Sequence, residues 1–423
     1  MFFVQVFSVL VLGGLIWLFY QQDASAIKRF FFPVLFYKLA AGVGLGLLYT
    51  YYYTEGDTFG FFRDAMRLSE VARDDPGEYL RLLWGGGTDH PLWQVLDNQQ
   101  SRSIFMVKWV SVVSLISGDN YWIATLYFSF FSFMGAWYLV RVIVGAWAHA
   151  EVPAIVAFLV FPSVAFWSSG VMKESLALPA LFCMTAVFLK WWSTSRMGWL
   201  DWVVLVLSVW IGWRLKYYYT GIFLSVAGAC SAVRYIAAIL RINRVRSQLL
   251  LWMVTFVGFT ALATLLHPNF SLQVLPQVIE DNYRAYAEMS DETGMIEFSD
   301  LHASWWSIIR YAPQALAGGL FRPFLWEADS WIMVLAALEN TALLIIFLWA
   351  IVRFIRNPTV REPLLILALV LFVILLGILL PLSTPNFGTL SRYRIGYLAF
   401  FVFLVLSVLP VKVKEGMRDN IHT

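Results

Sequence analysis

The sequence predicts an all-α fold, a polytopic transmembrane helical bundle of about eleven spans. Three observations carry this. Hydrophobic residues make up 60% of the 423 and charged residues only 13%, against about 25% charged in a soluble domain. No soluble core of this size hides so much apolar surface. Apolar stretches of membrane-crossing length recur along the whole chain. The 20 Trp and 19 Tyr suit a protein with two membrane interfaces, where amphipathic rings settle at headgroup depth.

The spans are expected at about 1–20, 31–53, 120–141, 152–168, 175–192, 201–213, 219–240, 249–266, 331–352, 363–381 and 395–411. Residues 1–20 start apolar with no basic segment ahead of them, which reads as a retained span and not a cleaved signal. The sixth stretch is short and ends at Trp213-Arg214. Residues 104–117 carry Lys108 and are too short to span, so they read as re-entrant or interfacial. Cys183 and Cys230 both fall in apolar segments, as packing residues without a disulfide or metal site.

A net charge of +3 says little, but its distribution orients the chain. Connectors 21–30, 141–151, 190–200, 234–248 and 353–362, with the tail 412–423, hold an excess of Lys and Arg. Arg241, Arg244, Arg246, Arg353, Arg356 and Arg361 lie there in short loops. The opposite side holds an excess of Asp and Glu. The positive-inside rule therefore makes the connectors and C-terminus cytoplasmic and puts the N-terminus outside.

One transmembrane domain, 1–423, is expected, with two long external loops, 54–118 and 267–330, and no separate soluble domain. Within 59–83, apolar residues at 61, 62, 65, 68 and 71–72 form one helical stripe, the mark of an amphipathic surface helix. Gly85-Gly86-Gly87 then breaks it.

The ionisable residues that could do chemistry gather on the external side. Asp57 follows the second span, among aromatics. It reads as a general base at a membrane mouth or as the N-cap of the amphipathic helix. Lys173 and Glu174 share a short turn between apolar helices, costly and functional if that turn lies at membrane depth. In a solvated turn, Glu174 simply favours the next helix dipole. Arg214 and Lys216 sit among Trp213 and Tyr217–Tyr219, as snorkelling cations or as cations kept outside for a purpose. Arg322, Arg392 and Arg394 raise the same question, because forked guanidinium donors suit a phosphate and lipid headgroups are phosphates too. His90, in Asp89-His90-Pro91, is a lone histidine with a structural reading beside a binding one. No DxD, HExxH, CxxC, Walker loop or GxSxG is present, so neither a metal nor a nucleotide has sequence support. No nucleic-acid partner is indicated.

The set Gly56-Asp57-Thr58-Phe59, Phe166-Trp167-Ser168-Ser169-Gly170…Lys173-Glu174, Arg322-Pro323-Phe324…Trp326-Glu327 and Gly388-Thr389-Leu390…Arg392-Tyr393-Arg394 resembles the GT-C class of membrane glycosyltransferases, in particular bacterial multispanning proteins of surface-polysaccharide assembly. The resemblance implies a polyprenyl-linked sugar as donor, a glycan or lipid as acceptor, an inner-membrane location and Asp57 as base. The chain departs from the class in an extra N-terminal span, the lack of a paired acidic motif and the lack of a large C-terminal domain. Two other readings stand beside it: a polysaccharide polymerase or ligase using polyprenyl-diphosphate donors, and a transporter or flippase. The last would use charges deep within spans, of which Lys38 and Glu339 are candidates.

Overall fold

A computed structural model describes residues 2–409, except 54–55, 87–89, 267, 291–293 and 359. The tail 412–423, Thr88 and Asp89 lie outside the described residues. Apolar composition drives helix formation throughout, since a backbone in lipid must satisfy its own hydrogen bonds. Among the described residues, eight helices are long and apolar enough to cross a membrane, or nine if one bent pair is a single span. The chain is therefore a multi-pass membrane protein.

The first helices are α1 (Phe2–Gln21) and α2 (Phe31–Tyr51). The amphipathic stretch follows as α3 (Asp57–Asp74) and α4 (Pro76–Leu83), and a single turn, α5 (Leu92–Val95), leads to α6 (Ser101–Ser117). The expected stripe is the buried one: Phe61, Phe62, Ala65 and Leu68 face inward. Pro76 ends α3, and the Asp75 carboxylate caps α4 by accepting from Glu78 N at 3.0 Å.

Helix α7 (Tyr121–Ala146) runs to the opposite end. Residues 151–167 return in three short pieces: α8 (Glu151–Ile155), a π turn (Val156–Val160) and α9 (Pro162–Trp167). Next come α10 (Glu174–Thr194) and α11 (Trp199–Ile239). Helix α11 is interrupted at Lys216, whose φ of −141° and ψ of 67° leave the helical region. Asp201 pairs with Lys190 at 2.7 Å, and Arg234 donates to the Trp192 carbonyl at 2.6 Å. A straight helix would hold residues 201 and 234 about 50 Å apart, yet both meet the same end of α10. Helix α11 therefore doubles back at Lys216. Its two arms touch so closely that a Cβ on Gly212 would lie 2.5 Å from Thr220 Oγ1.

The remaining helices are α12 (Val245–Leu266), α13 (Leu275–Glu288), α14 (Trp305–Phe321), α15 (Trp331–Arg356), α16 (Pro363–Ser383), α17 (Phe387–Tyr393) and α18 (Ile395–Ser407). The last two form the bent pair, at 65°.

The five basic connectors share one end of the bundle. Asp23 pairs with Arg141 at 3.2 Å, Arg29 with Glu151 at 2.8 Å, and Arg361 contacts His149 at 3.3 Å. Trp192 donates to Glu362 at 3.2 Å, and Arg234 completes the ring through Trp192.

Residues 151–167 lack the length and regularity of the other spans. The turn after them dips inward. A Cβ on Gly42 would lie 3.3 Å from Gly170 N, and Gly170 N donates to Ser129 Oγ at 3.0 Å. Gly42 is nine residues below the end of α2 and Ser129 is eight below the start of α7. Both put the turn about 12–13 Å beneath the helix ends. Lys38 stitches this break, donating to the Ala165 carbonyl at 3.1 Å and Ser168 Oγ at 2.5 Å. Glu339 does the same from the other side, accepting from Ser163 N at 2.9 Å and Ser163 Oγ at 2.5 Å. Both intramembrane charges thus satisfy a broken helix.

Candidate functional site

The end opposite the basic connectors holds a cleft of about 520 Å³. Its floor is the dipping turn, which contributes Trp167 and Lys173. One wall is the end of α2 with Tyr49 and Tyr53, continuing to Gly56 and Asp57. The facing wall is α17 with Arg392 and Tyr393, and residues 97–100 form the rim.

Asp57 is the first residue of α3. The cap position belongs to Gly56, and the Asp57 side chain makes no capping bond. This corrects the N-cap reading. Gly56 is needed there because a Cβ would fall 2.2 Å from the Tyr49 ring. The freed carboxylate of Asp57 instead accepts from Arg392 Nη1 at 2.8 Å. Burial pushes this carboxyl up, but the Arg392 guanidinium, then Lys173 and Lys216, outweigh it and hold it below its ordinary value of 3.8.

Behind this pair lies a second. Lys216 Nζ is 2.9 Å from Glu174 Oε1, and both side chains are almost wholly buried, at 3% and 2% exposure. The break in α11 aims the ammonium inward, 3.3 Å from the centre of the Tyr393 ring. Arg392 Nε lies 3.7 Å from the same Glu174 oxygen and has no hydrogen-bond partner. Lys173 donates to Ser103 Oγ at 2.9 Å. Three cations and two carboxylates, Lys173, Lys216, Arg392, Asp57 and Glu174, therefore converge from four parts of the chain, and the Asp97 carboxylate on the rim makes the two signs equal in number. The turn that carries Lys173 and Glu174 lies about 12–13 Å beneath the ends of α2 and α7, within the bundle.

The other predicted residues lie elsewhere. Arg394 is fully buried and clamps the Arg322 carbonyl at 2.9 Å and Asn340 Oδ1 at 2.7 Å. Arg322 pairs with Glu327, with Nε 2.8 Å from Oε1. Arg214 packs over Phe105 at 5.3 Å. His90 Nδ1 accepts from Leu92 N at 3.1 Å and so starts the short helix α5.

Several lining residues carried no signal of their own. Tyr49, Tyr53 and Tyr286 line the cleft, and nothing in the sequence sets them apart from the other tyrosines. The polar run Asp97-Asn98-Gln99-Gln100 forms the rim. It is held by Asp64, whose buried carboxylate accepts from Asp97 N, Asn98 N and Asn98 Nδ2, each at 3.0 Å. Chemically, the cleft can bind an anion on Arg392 and Lys173, present amides to hydroxyl groups and offer one carboxylate as a proton acceptor. Among the described residues no group of His, Cys, Asp or Glu is arranged to hold a metal ion. Comparison with protein-family models, curated proteins and solved structures gave no match.

Proposed function

We propose that this protein transfers a sugar from a polyprenyl-linked donor to an acceptor hydroxyl at the outer face of a bacterial inner membrane, in surface-glycan assembly. The observation that carries this reading is the Asp57–Arg392 pair, set beside Lys173 in a cleft whose floor lies about 12–13 Å beneath the ends of α2 and α7. A polyprenyl phosphate needs its headgroup met by cations at that level, while its acceptor enters from water. In this reading the chain makes eleven passes, with α11 as two and 151–167 as a short one. The N-terminus is outside and the C-terminus cytoplasmic.

The donor phosphate competes with the Asp57 carboxylate for the Arg392 fork. Its arrival releases Asp57 and removes the charge that holds the carboxyl acidic, so the group becomes a better base. Asp57 then takes the acceptor hydroxyl proton as the acceptor oxygen bonds to the anomeric carbon. The bond from that carbon to the phosphate oxygen breaks, and its electron pair stays on the lipid phosphate. Arg392 and Lys173 stabilise the charge that develops there. Glu174 and Lys216 position Arg392 and Tyr393.

A polymerase-type transfer from a polyprenyl-diphosphate donor is the second reading. The two cations Lys173 and Arg392 in one cleft favour it, because they match two phosphates and a diphosphate leaving group makes less demand on a base. Incubating purified protein with labelled lipid-linked sugars, as monophosphate and as diphosphate donors, tests both readings. Transfer from the monophosphate supports the first, and transfer from the diphosphate alone the second. Transfer from neither overturns both.

A further inference from the structure

Helices α10 and the second arm of α11 carry the cleft at one end and a different cavity at the other. Trp192 lies 18 residues beyond Glu174, and Arg234 lies 18 beyond Lys216, each about 27 Å along its helix. The cavity therefore sits at the end of the bundle that holds the basic connectors. Its volume is about 380 Å³, and it is lined by Trp192, Val233, Arg234, Ala237, Ala238, Ile242, Asn243, Gln248 and Leu364.

Most of the lining is apolar, and Arg234, Asn243 and Gln248 are its polar members, with Gln248 Nε2 donating to the Ile242 carbonyl at 2.8 Å. The Arg234 guanidinium is fixed in place. It donates to the Trp192 carbonyl and to Ser195 Oγ, both at 2.6 Å, and lies over the Trp191 and Trp192 rings at 4.9 and 5.3 Å. Those two bonds use two of the five donors of an arginine. Arg241, Arg244 and Arg246 are exposed and flank the lining residues Ile242 and Asn243 in the chain, and the acid Glu362 accepts from Trp192 of the lining. Exposed Tyr235, stacked on Trp191 at 6.2 Å, marks headgroup depth.

We propose that this cavity binds the phosphodiester headgroup of an anionic phospholipid. Arg234 and Asn243 hold the phosphate, and the apolar lining takes the glycerol and upper acyl carbons. Basic pockets between transmembrane helices recognise anionic lipids on these terms, and a rigid, ring-stacked guanidinium is suited to a phosphate fork.

The test uses the full chain in detergent and follows thermal unfolding while phosphatidylglycerol, phosphatidylcholine or inorganic phosphate is added. Phosphatidylglycerol is expected to raise the Tm beyond phosphatidylcholine, and phosphate to reproduce none of that increment. Arg234→Gln and Asn243→Asp should each raise the half-saturating phosphatidylglycerol concentration about tenfold or more, as the loss of a charge-assisted bond requires. Asn243 makes no intramolecular bond that its replacement would break, so this variant decides the matter alone if Arg234→Gln does not fold. Equal effects of the two lipids, an undiminished increment in Asn243→Asp, or full reproduction by inorganic phosphate would each overturn the proposal.

Discussion

Arg392 donates to the Asp57 carboxylate at 2.8 Å, joining residues 335 positions apart in the chain. The same guanidinium points its unpartnered Nε toward Glu174. One arginine therefore faces both Asp57 and Glu174, and replacing it perturbs both. Arg392→Lys keeps the charge but loses the fork. Donor turnover should fall at least tenfold while the unfolding midpoint stays near the native value. Native turnover in this variant would remove the phosphate role from Arg392.

Arg394 should behave in the opposite way. It clamps two acceptors in a dry site, so Arg394→Lys should destabilise the fold by about 1.5–3 kcal/mol, the worth of a hydrogen bond to a charged group. The protein that remains folded should turn over donor at the native rate. Unfolding and turnover measured on one preparation separate the two arginines.

The Glu174–Lys216 pair is buried on both sides, so breaking it leaves a naked charge. Glu174→Gln or Lys216→Met should each cost about 3–5 kcal/mol, and the double variant should recover much of that. A double-mutant cycle in unfolding free energy checks this. Additive losses would show that the two residues act separately.

Asp57 is held below its ordinary value of 3.8 by Arg392 and the two lysines. In the free protein it therefore stays ionised as pH falls to that value and protonates only beneath it. The acid limb of kcat/KM, which reports the free protein, should lie below pH 3.8. In Arg392→Gln it should move upward. The same sign holds for stability: the contribution of the ionised pair is present above pH 3.8 and is lost as pH falls through the lower folded value. A pH profile of both proteins shows whether the limb moves.

The five basic connectors meet one another, so a single labelling experiment orients the molecule. Cysteine placed near 244 should resist an impermeant thiol reagent in intact cells, and cysteine near 295, at the exposed Ser299, should react. The reverse pattern would put the cleft in the cytoplasm.

Much of this was legible in the chain. The apolar stripe at 61, 62, 65 and 68 buries as its period requires. The pause between the stretches 201–213 and 219–240 marks the point where α11 doubles back. Other features had no local signature. Residues 392 and 394 are two positions apart, about 200° around a helix, so only one can face the cleft, and composition does not say which. Gly56 takes the cap position from Asp57 because Tyr49 packs against it, a contact made in three dimensions. The pairing of Glu174 with Lys216 and the depth of their turn depend on where α2 and α7 end, not on the turn's own residues.

Asp57→Asn is the most direct test of glycosyl transfer at this cleft. Asparagine keeps the size and can still contact Arg392, but it cannot take the acceptor proton. Single-turnover transfer from a lipid-linked sugar should fall about 10²–10⁴-fold, with donor binding retained or tightened because the competing carboxylate is gone. A normally folded Asp57→Asn protein that transfers sugar at the native rate would contradict the role of Asp57 as base.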